Sequence, residues 1–144
     1  MSDTFTITRT FAASPEAVFD AWVTPEHFSV WFGTPNVAVP LDTLTMDVRV
    51  GGRWTAVMHL PDGSTKDWEG EYRELDRPSR LSLTLTDQPG EDAGEPIVVE
   101  FAEVDGGTRM TFTSARHGFT DEQVAAVTAG YGAFFDAIAE IVTA

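Results

Sequence analysis

Few side chains in this sequence could act on a substrate, and they lie at the end of one predicted strand and in the last helix. Glu74 shares the face of Trp68 and Tyr72 if the alternation of that strand holds to its end. A carboxyl group buried there could be a general acid or base with a raised pKa, and Tyr72 and Tyr131 are the other candidates for that role. The alternative, which we favour, is an ion pair between Glu74 and a nearby arginine: Arg73, Arg77 or Arg80.

Other motifs for catalysis or metal binding are missing from the sequence. It contains no cysteine, which excludes disulfides, thiolate metal sites and thiol nucleophiles. His27, His59 and His117 do not show the spacing of paired metal ligands. Gly130 and Gly132 lack the third glycine of a dinucleotide fingerprint, and there is no nucleophile elbow or phosphate loop. The sequence therefore predicts no metal ion, no cofactor and no catalytic residue, and an enzyme is the less favoured hypothesis.

Length and charge restrict the class of protein further. The 144 residues fit a single domain, residues 1–144. Nine basic and 23 acidic residues give a formal net charge of −14, which repels phosphate backbones and anionic lipid head groups. The N-terminus does not show the basic segment followed by an apolar segment that is typical of a secretion signal. No apolar run approaches the length of about 20 residues that is needed to span a bilayer. We expect a cytoplasmic protein that binds no nucleic acid and does not insert into membranes, while its oligomeric state is not indicated.

The first part of the chain predicts one strand and two short helices. Residues 4–11 alternate threonines with larger, mostly apolar side chains, which is typical of a two-faced strand. Ser14-Pro15-Glu16 then supplies an N-cap, a proline at the first helical position and an acid in the first turn. Thr24-Pro25-Glu26 repeats this signal, and Gly33 and Pro35 are expected to end the second helix.

The middle of the chain predicts six strands joined by turns. Residues 61–64 and 105–107 hold the Gly and Asp residues that tight hairpins need. Residues 88–96 form a loop rich in Gly, Pro and acids, to which we assign no function. We expect the strands to pair as successive antiparallel hairpins over residues 45–50, 53–60, 65–75, 80–86, 97–104 and 108–114.

The final segment predicts a long amphipathic helix. It begins with the capping-box sequence Thr120-Asp121-Glu122-Gln123 and runs without proline to Ala144. The order of one strand, two helices, six strands and one helix predicts an α+β fold with the helices on one side of an antiparallel sheet. Apolar residues recur along one side of this helix at steps of three and four: Val124, Val127, Tyr131, Phe135, Ile138 and Val142.

Large apolar side chains fill the predicted inward faces of the strands. Since aromatic stripes usually mean packing, composition alone favours a solid core over a hollow one. The inward sets are Trp54, Ala56 and Met58, then Trp68, Gly70 and Tyr72, then Leu81, Leu83 and Leu85, then Met110 and Phe112.

Several short segments occur in a characteristic order over nearly the whole chain: residues 13–22, 24–26, 31–33, 47–54, 58, 62–63, 70–75 and 106–109. In this order they resemble the SRPBCC or START-like superfamily, and within it the domain of the activator of the Hsp-ninety ATPase. The family's Trp-Trp pair after the second helix is Trp31-Phe32 here, and its late Gly-Trp is Gly130-Tyr131. The resemblance implies a helix-grip fold, in which a curved antiparallel sheet wraps around the long C-terminal helix and leaves a deep cavity.

The aromatic inward faces and the lack of a convincing nucleophile or metal set favour a non-catalytic protein that binds a small hydrophobic molecule in this cavity. One alternative is an enzyme of the polyketide cyclase or hydratase type that uses a cavity acid, and another is an interaction domain that regulates a chaperone ATPase. A fold of this kind does not settle which of the three applies. We predict the ligand-binding residues to be Trp31, Trp54, Met58, Trp68, Tyr72, Met110, Phe112, Tyr131 and Phe135.

Overall fold

The structure, a computed structural model, describes residues 4–32, 38–86, 90, 95–115 and 119–143. Over these residues it contains seven strands, three α-helices and one short 3-10 helix, which confirms the predicted α+β order. The elements are β1 (Thr4–Phe11), α1 (Pro15–Val23), α2 (Pro25–Trp31), the 3-10 helix (Leu41–Thr43), β2 (Thr45–Met46), β3 (Arg53–His59), β4 (Thr65–Asp76), β5 (Arg80–Leu83), β6 (Ile97–Val104), β7 (Gly107–Ala115) and α3 (Asp121–Val142).

The described strands form one antiparallel sheet in the order β1-β7-β6-β5-β4-β3-β2. β1 pairs with β7 over its whole length, from Thr4 opposite Ala115 to Phe11 opposite Thr108. All other neighbours in the sheet are successive in the chain, as the hairpin prediction required. Because α1 and α2 lie between β1 and β2 in sequence, they connect the two opposite edges of the sheet. This arrangement confirms the helix-grip fold that the resemblance implied.

Local sequence determines where the two short helices begin. The Ser14 hydroxyl accepts a hydrogen bond of 3.2 Å from the Ala17 N–H at the start of α1, and a proline follows it. Thr24 ends α1 and precedes the first residue of α2. The indole Nε1 of Trp31 in α2 donates to the Ala21 carbonyl in α1 at 2.7 Å. This bond ties the two helices together inside the core.

The core lies between the sheet and the three helices, and one glycine shows how tightly it packs. Trp54 is 1% exposed, and its Nε1 donates to the Thr84 carbonyl at 3.2 Å. A Cβ on Gly70 would lie 2.3 Å from that nitrogen and 1.9 Å from that carbonyl oxygen. A larger residue at position 70 would therefore break the contact that anchors Trp54 across the sheet.

Two strands are shorter than predicted. β2 ends at Met46 instead of residue 50, because residues 47–52 form a turn in which the Gly52 N–H donates to the Arg49 carbonyl at 2.8 Å. Val48 and Val50 are exposed in this turn, so their apolar character does not mark a strand face. β5 ends at Leu83 instead of residue 86, and beyond it Thr86 makes an isolated bridge to Glu69.

Some of the predicted helix ends, and most of the predicted loop, fall on residues that the structure does not describe. α2 ends at Trp31, and α3 ends at Val142, two residues before the predicted end. Gly33, Pro35, Ala144 and most of the predicted loop 88–96 lie outside the described residues. His117 also lies outside them.

α3 is more apolar than the sequence analysis expected. It is 22 residues long and reaches a mean hydropathy of 1.3, which by length and composition alone would allow it to cross a membrane. This corrects the expectation that no apolar run approaches that length. The core helix of a globular domain passes the same test, and Phe135 and Ile138 of α3 are fully buried in this domain.

Candidate functional site

The two halves of α3 are buried to different extents. In the second half, Phe135 and Ile138 expose none of their surface, and Asp136 forms an ion pair of 2.5 Å with Arg9 of β1. In the first half, the stripe residues Val124 and Val127 are only partly buried, although they belong to the same apolar stripe. The first half of α3 therefore lies less closely against the sheet, and two pockets lie beside it.

The first pocket has a volume of about 250 Å³ and lies between α3, the end of α2, the strand β4 and the segment that follows β5. Every lining residue is apolar, aromatic or glycine, so the walls offer a ligand mainly dispersion contacts and the release of ordered water. The lining residues are Phe32, Trp68, Leu85, Val127, Gly130, Tyr131 and Phe134.

The second pocket has a volume of about 200 Å³ and adjoins the first, because both are lined by Leu85, Val127 and Tyr131. Its other walls come from the sheet and from the segment before α3, and they include two polar residues, Ser114 and Glu95. The two pockets together are called the α3 cleft below. The remaining lining residues of the second pocket are Phe5, Ile97 and Phe119.

Tyr131 lies at the centre of the α3 cleft. Its ring lies 4.5 Å from that of Phe112 and 5.8 Å from that of Phe135, centroid to centroid, so one side of the ring packs on the core. Burial raises the pKa of its hydroxyl to about 12. Among the described residues no hydrogen-bond partner of this hydroxyl is found, and Tyr131 lines both pockets.

Trp68 forms the opposite wall of the first pocket. Its indole Nε1 lies 3.0 Å from the sulfur of Met58, to which it donates a weak hydrogen bond. Its ring lies 5.5 Å from that of Phe32, and the ammonium of Lys66 lies 5.7 Å from its centroid. These contacts hold the indole in place without filling the space in front of it.

The structure brings only two of the nine predicted ligand-binding residues, Trp68 and Tyr131, to the α3 cleft. Met110, Phe112 and Phe135 expose none of their surface, so they cannot line a cavity that admits even a water molecule. These three residues therefore do not line the α3 cleft. The other four are buried in the core with at most 7% exposure and do not line the α3 cleft: Trp31, Trp54, Met58 and Tyr72.

Close aromatic contacts explain why these predicted residues belong to the core. The rings of Trp31 and Trp22 lie 4.8 Å apart, and those of Phe112 and Phe135 lie 5.8 Å apart. Tyr72 is 2% exposed, and burial together with the charge of Asp47 raises its pKa far above the usual range. The deep part of the predicted cavity is thus occupied by side chains, and the open space lies nearer the start of α3.

Gly130 is a lining residue whose place inside a helix is itself a signal in the sequence, indicating either close packing against a strand or the approach of a ligand. Glycine costs about 1 kcal/mol relative to alanine inside a helix, so a glycine there suggests a need for space. A Cβ at Gly130 or at Gly132 would meet nothing within 4 Å. Close packing against a strand therefore does not explain either residue, and only Gly130 lines the α3 cleft.

Glu74, the candidate acid or base, lies away from the α3 cleft. The pairing of β4 with β5 shifts register between Tyr72 and Glu74, which moves the Glu74 side chain to the solvent side. There its carboxylate pairs with Arg80 at 2.7 Å, as the favoured alternative predicted. Among the described residues, no group of three His, Asp or Glu side chains could hold a metal ion.

Comparison with known proteins identifies the family of this chain. No curated protein of known function matches the chain. Many solved structures do, including a protein from Mycobacterium smegmatis (27% identity, TM-score 0.79, covering 99% of this chain and 91% of that one). An AHSA1-like protein from Aeromonas hydrophila is 26% identical, with a TM-score of 0.79 and coverage of 97% and 92%.

A protein from Chromobacterium violaceum shares the fold at 21% identity, with a TM-score of 0.80 and 98% of both chains covered. The sequence profile of the family described as "Activator of Hsp90 ATPase homolog 1-like protein" matches residues 12–143. This match covers both short helices, the strands from β2 to β7 and α3. The chain therefore belongs to the Activator of Hsp90 ATPase homolog 1-like protein family.

Proposed function

We propose that this protein binds a small apolar molecule in the α3 cleft and does not transform it. The observation that carries the proposal is the first pocket, whose walls are entirely apolar, aromatic or glycine and lie beside the closely packed core residues Phe112 and Phe135. Concave apolar sites with a few polar groups are typical of small-molecule binding. Here the polar groups are the Tyr131 hydroxyl and, at the second pocket, Ser114 and Glu95.

The size of the α3 cleft restricts the ligand. Pockets for small molecules usually measure about 300–1,000 Å³. The two adjoining pockets of about 250 and 200 Å³ suit a slender molecule that reaches past Tyr131 from one into the other. We therefore expect a ligand of modest size, such as a medium-length chain or a compound of one or two rings.

A neutral fluorescent probe, N-phenyl-1-naphthylamine, tests this proposal. We expect its emission to rise saturably when it is added to the protein, and the melting temperature to rise with probe concentration because the probe binds only the folded state. Replacement of Gly130 by Leu should place a side chain in the first pocket and weaken binding about tenfold, the equivalent of about 1.4 kcal/mol.

The matched control is Gly132→Leu. It makes the same change of residue two positions along α3, where a Cβ also meets nothing within 4 Å, but position 132 does not line the α3 cleft. Both variants should gain helix stability to a similar extent. Equal binding by the two variants would contradict the proposed site, and no saturable binding by the unaltered protein would contradict the proposed function.

Docking to a chaperone and a cytoplasmic location stay predictions from the family resemblance and the sequence.

A further inference from the structure

The charges around the α3 cleft limit the head group that a ligand can carry. Among the described lining residues of both pockets there is no Lys or Arg, and the only charged one is Glu95. Lys66 lies over the Trp68 ring, 5.7 Å from its centroid, but it is not one of the lining residues. A carboxylate entering the cleft would lose water without gaining a cationic partner from the described lining residues, and the formal net charge of −14 would oppose its approach.

The hydroxyl of Tyr131 offers the complementary interaction. Tyr131 lines both pockets, and among the described residues its hydroxyl has no hydrogen-bond partner. A phenol in such apolar surroundings gains most from a ligand oxygen that accepts a hydrogen bond from it. The hydroxyl is protonated at physiological pH and so acts as a donor, and burial raises its pKa further, to about 12.

An ammonium head group is a weaker alternative. Glu95 could attract it, but Glu95 is exposed, so that water and salt screen its charge. An ammonium would also lose its own hydration on passing the apolar walls near Val127 and Leu85. The walls therefore favour an uncharged polar group over a charged one of either sign.

We propose that the α3 cleft selects uncharged apolar molecules that carry one oxygen acceptor, such as a ketone or an ester, and that Tyr131 is the specificity-determining residue that donates a hydrogen bond to this oxygen. The inference rests on the proposed function, because it assigns the ligand class of the same site.

Competition between matched nine-carbon compounds tests this inference. 2-Nonanone, nonanoate and nonylamine are each added at pH 7.5 to protein loaded with N-phenyl-1-naphthylamine, and displacement of the probe is followed by fluorescence. We expect 2-nonanone to bind at least about tenfold more tightly than either charged compound. Tyr131→Phe should weaken 2-nonanone by about fivefold and change the affinity of the probe, which has no oxygen, by clearly less.

The outcomes separate the two proposals. If the probe itself does not bind, the proposed function fails. If the probe binds but nonanoate displaces it as well as 2-nonanone does, the inference fails while the function stands. Lys66→Gln tests whether Lys66 binds the carboxylate instead. If nonanoate binds the unaltered protein but not this variant, Lys66 is the head-group partner and the role of Tyr131 is overturned. Unchanged 2-nonanone affinity in Tyr131→Phe would overturn it as well.

Discussion

The second half of α3 contrasts with the first half in its relation to the sheet. Phe135 and Ile138 in the second half are completely buried, whereas Val127 and Tyr131 in the first half border open space. Both pairs belong to one apolar stripe with a regular helical spacing. The same stripe therefore packs into the core in the second half and forms a wall of the α3 cleft in the first.

Two adjacent phenylalanines of α3, one in the core and one at the α3 cleft, should show the contrast between buried and open surface most strongly. Phe135→Ala removes a fully buried ring and should lower the free energy of unfolding by about 3–5 kcal/mol. Phe134→Ala removes the same ring from the wall of the α3 cleft and should cost less, about 1–2 kcal/mol, because Phe134 is only partly buried. Urea unfolding followed by circular dichroism measures both, and equal losses would contradict the contrast between the core and the α3 cleft.

Enlarging a core residue should also destabilise the protein. Met110 is completely buried, so Met110→Trp should overpack the core and cost about 1–3 kcal/mol. The same replacement in an empty cavity would cost little and would weaken ligand binding instead. Thermal unfolding together with probe titration tells the two cases apart, and an unchanged melting temperature would show that the space around Met110 is hollow.

The two tyrosines predict how stability responds to alkaline pH. Burial raises the pKa of Tyr131 to about 12, and that of Tyr72 still further, whereas an unfolded tyrosine titrates near pH 10. Because the folded state holds these protons more tightly, their contribution to stability is complete below about pH 10 and is lost as the pH rises towards 12. Absorbance at 295 nm should show no tyrosinate in the folded protein at pH 10.5, while tyrosinate at that pH with the fold intact would contradict the burial of both rings.

A smaller effect is expected from the helix glycines. Gly130→Ala and Gly132→Ala should each raise the free energy of unfolding by up to about 1 kcal/mol, since neither Cβ meets another atom within 4 Å. Thermal unfolding of the two variants checks this. Destabilisation by either alanine would mean that the helix packs more closely there than the structure shows.

The ion pair of Glu74 should matter least. Glu74 and Arg80 are both partly exposed, so Glu74→Gln should change the free energy of unfolding by less than about 1 kcal/mol and leave probe binding intact. Loss of probe binding in this variant would restore Glu74 as a candidate functional residue.

The fold could be predicted from the sequence because capping signals, alternation and helical spacing act locally. Ser14 and Thr120 start their helices as expected, and the order of strands follows from the hairpin turns. The position of the site could not be predicted in the same way. Helical spacing shows that Tyr131 and Phe135 face the sheet, but it does not show how far the sheet lies from each of them.

The register shift in β4 explains the second difference between sequence and structure. Alternation from Trp68 and Tyr72 would place Glu74 inward, but the irregularity between Tyr72 and Glu74 turns it outward and leaves Leu75 packed against the core. No residue type in this segment predicts the register shift. Gly130 did carry a usable signal, because glycine destabilises the interior of a helix and its presence there indicates a packing or functional reason.

The four tryptophan indoles offer the most direct test of where a ligand binds. Trp68 lines the first pocket, whereas the Nε1 of Trp54 is bonded to the Thr84 carbonyl inside the core. With ¹⁵N-labelled tryptophan, titration of N-phenyl-1-naphthylamine should move the Trp68 indole N–H signal most and the Trp54 signal little. A large shift of Trp54 with a stationary Trp68 would contradict binding in the α3 cleft and place the ligand in the core instead.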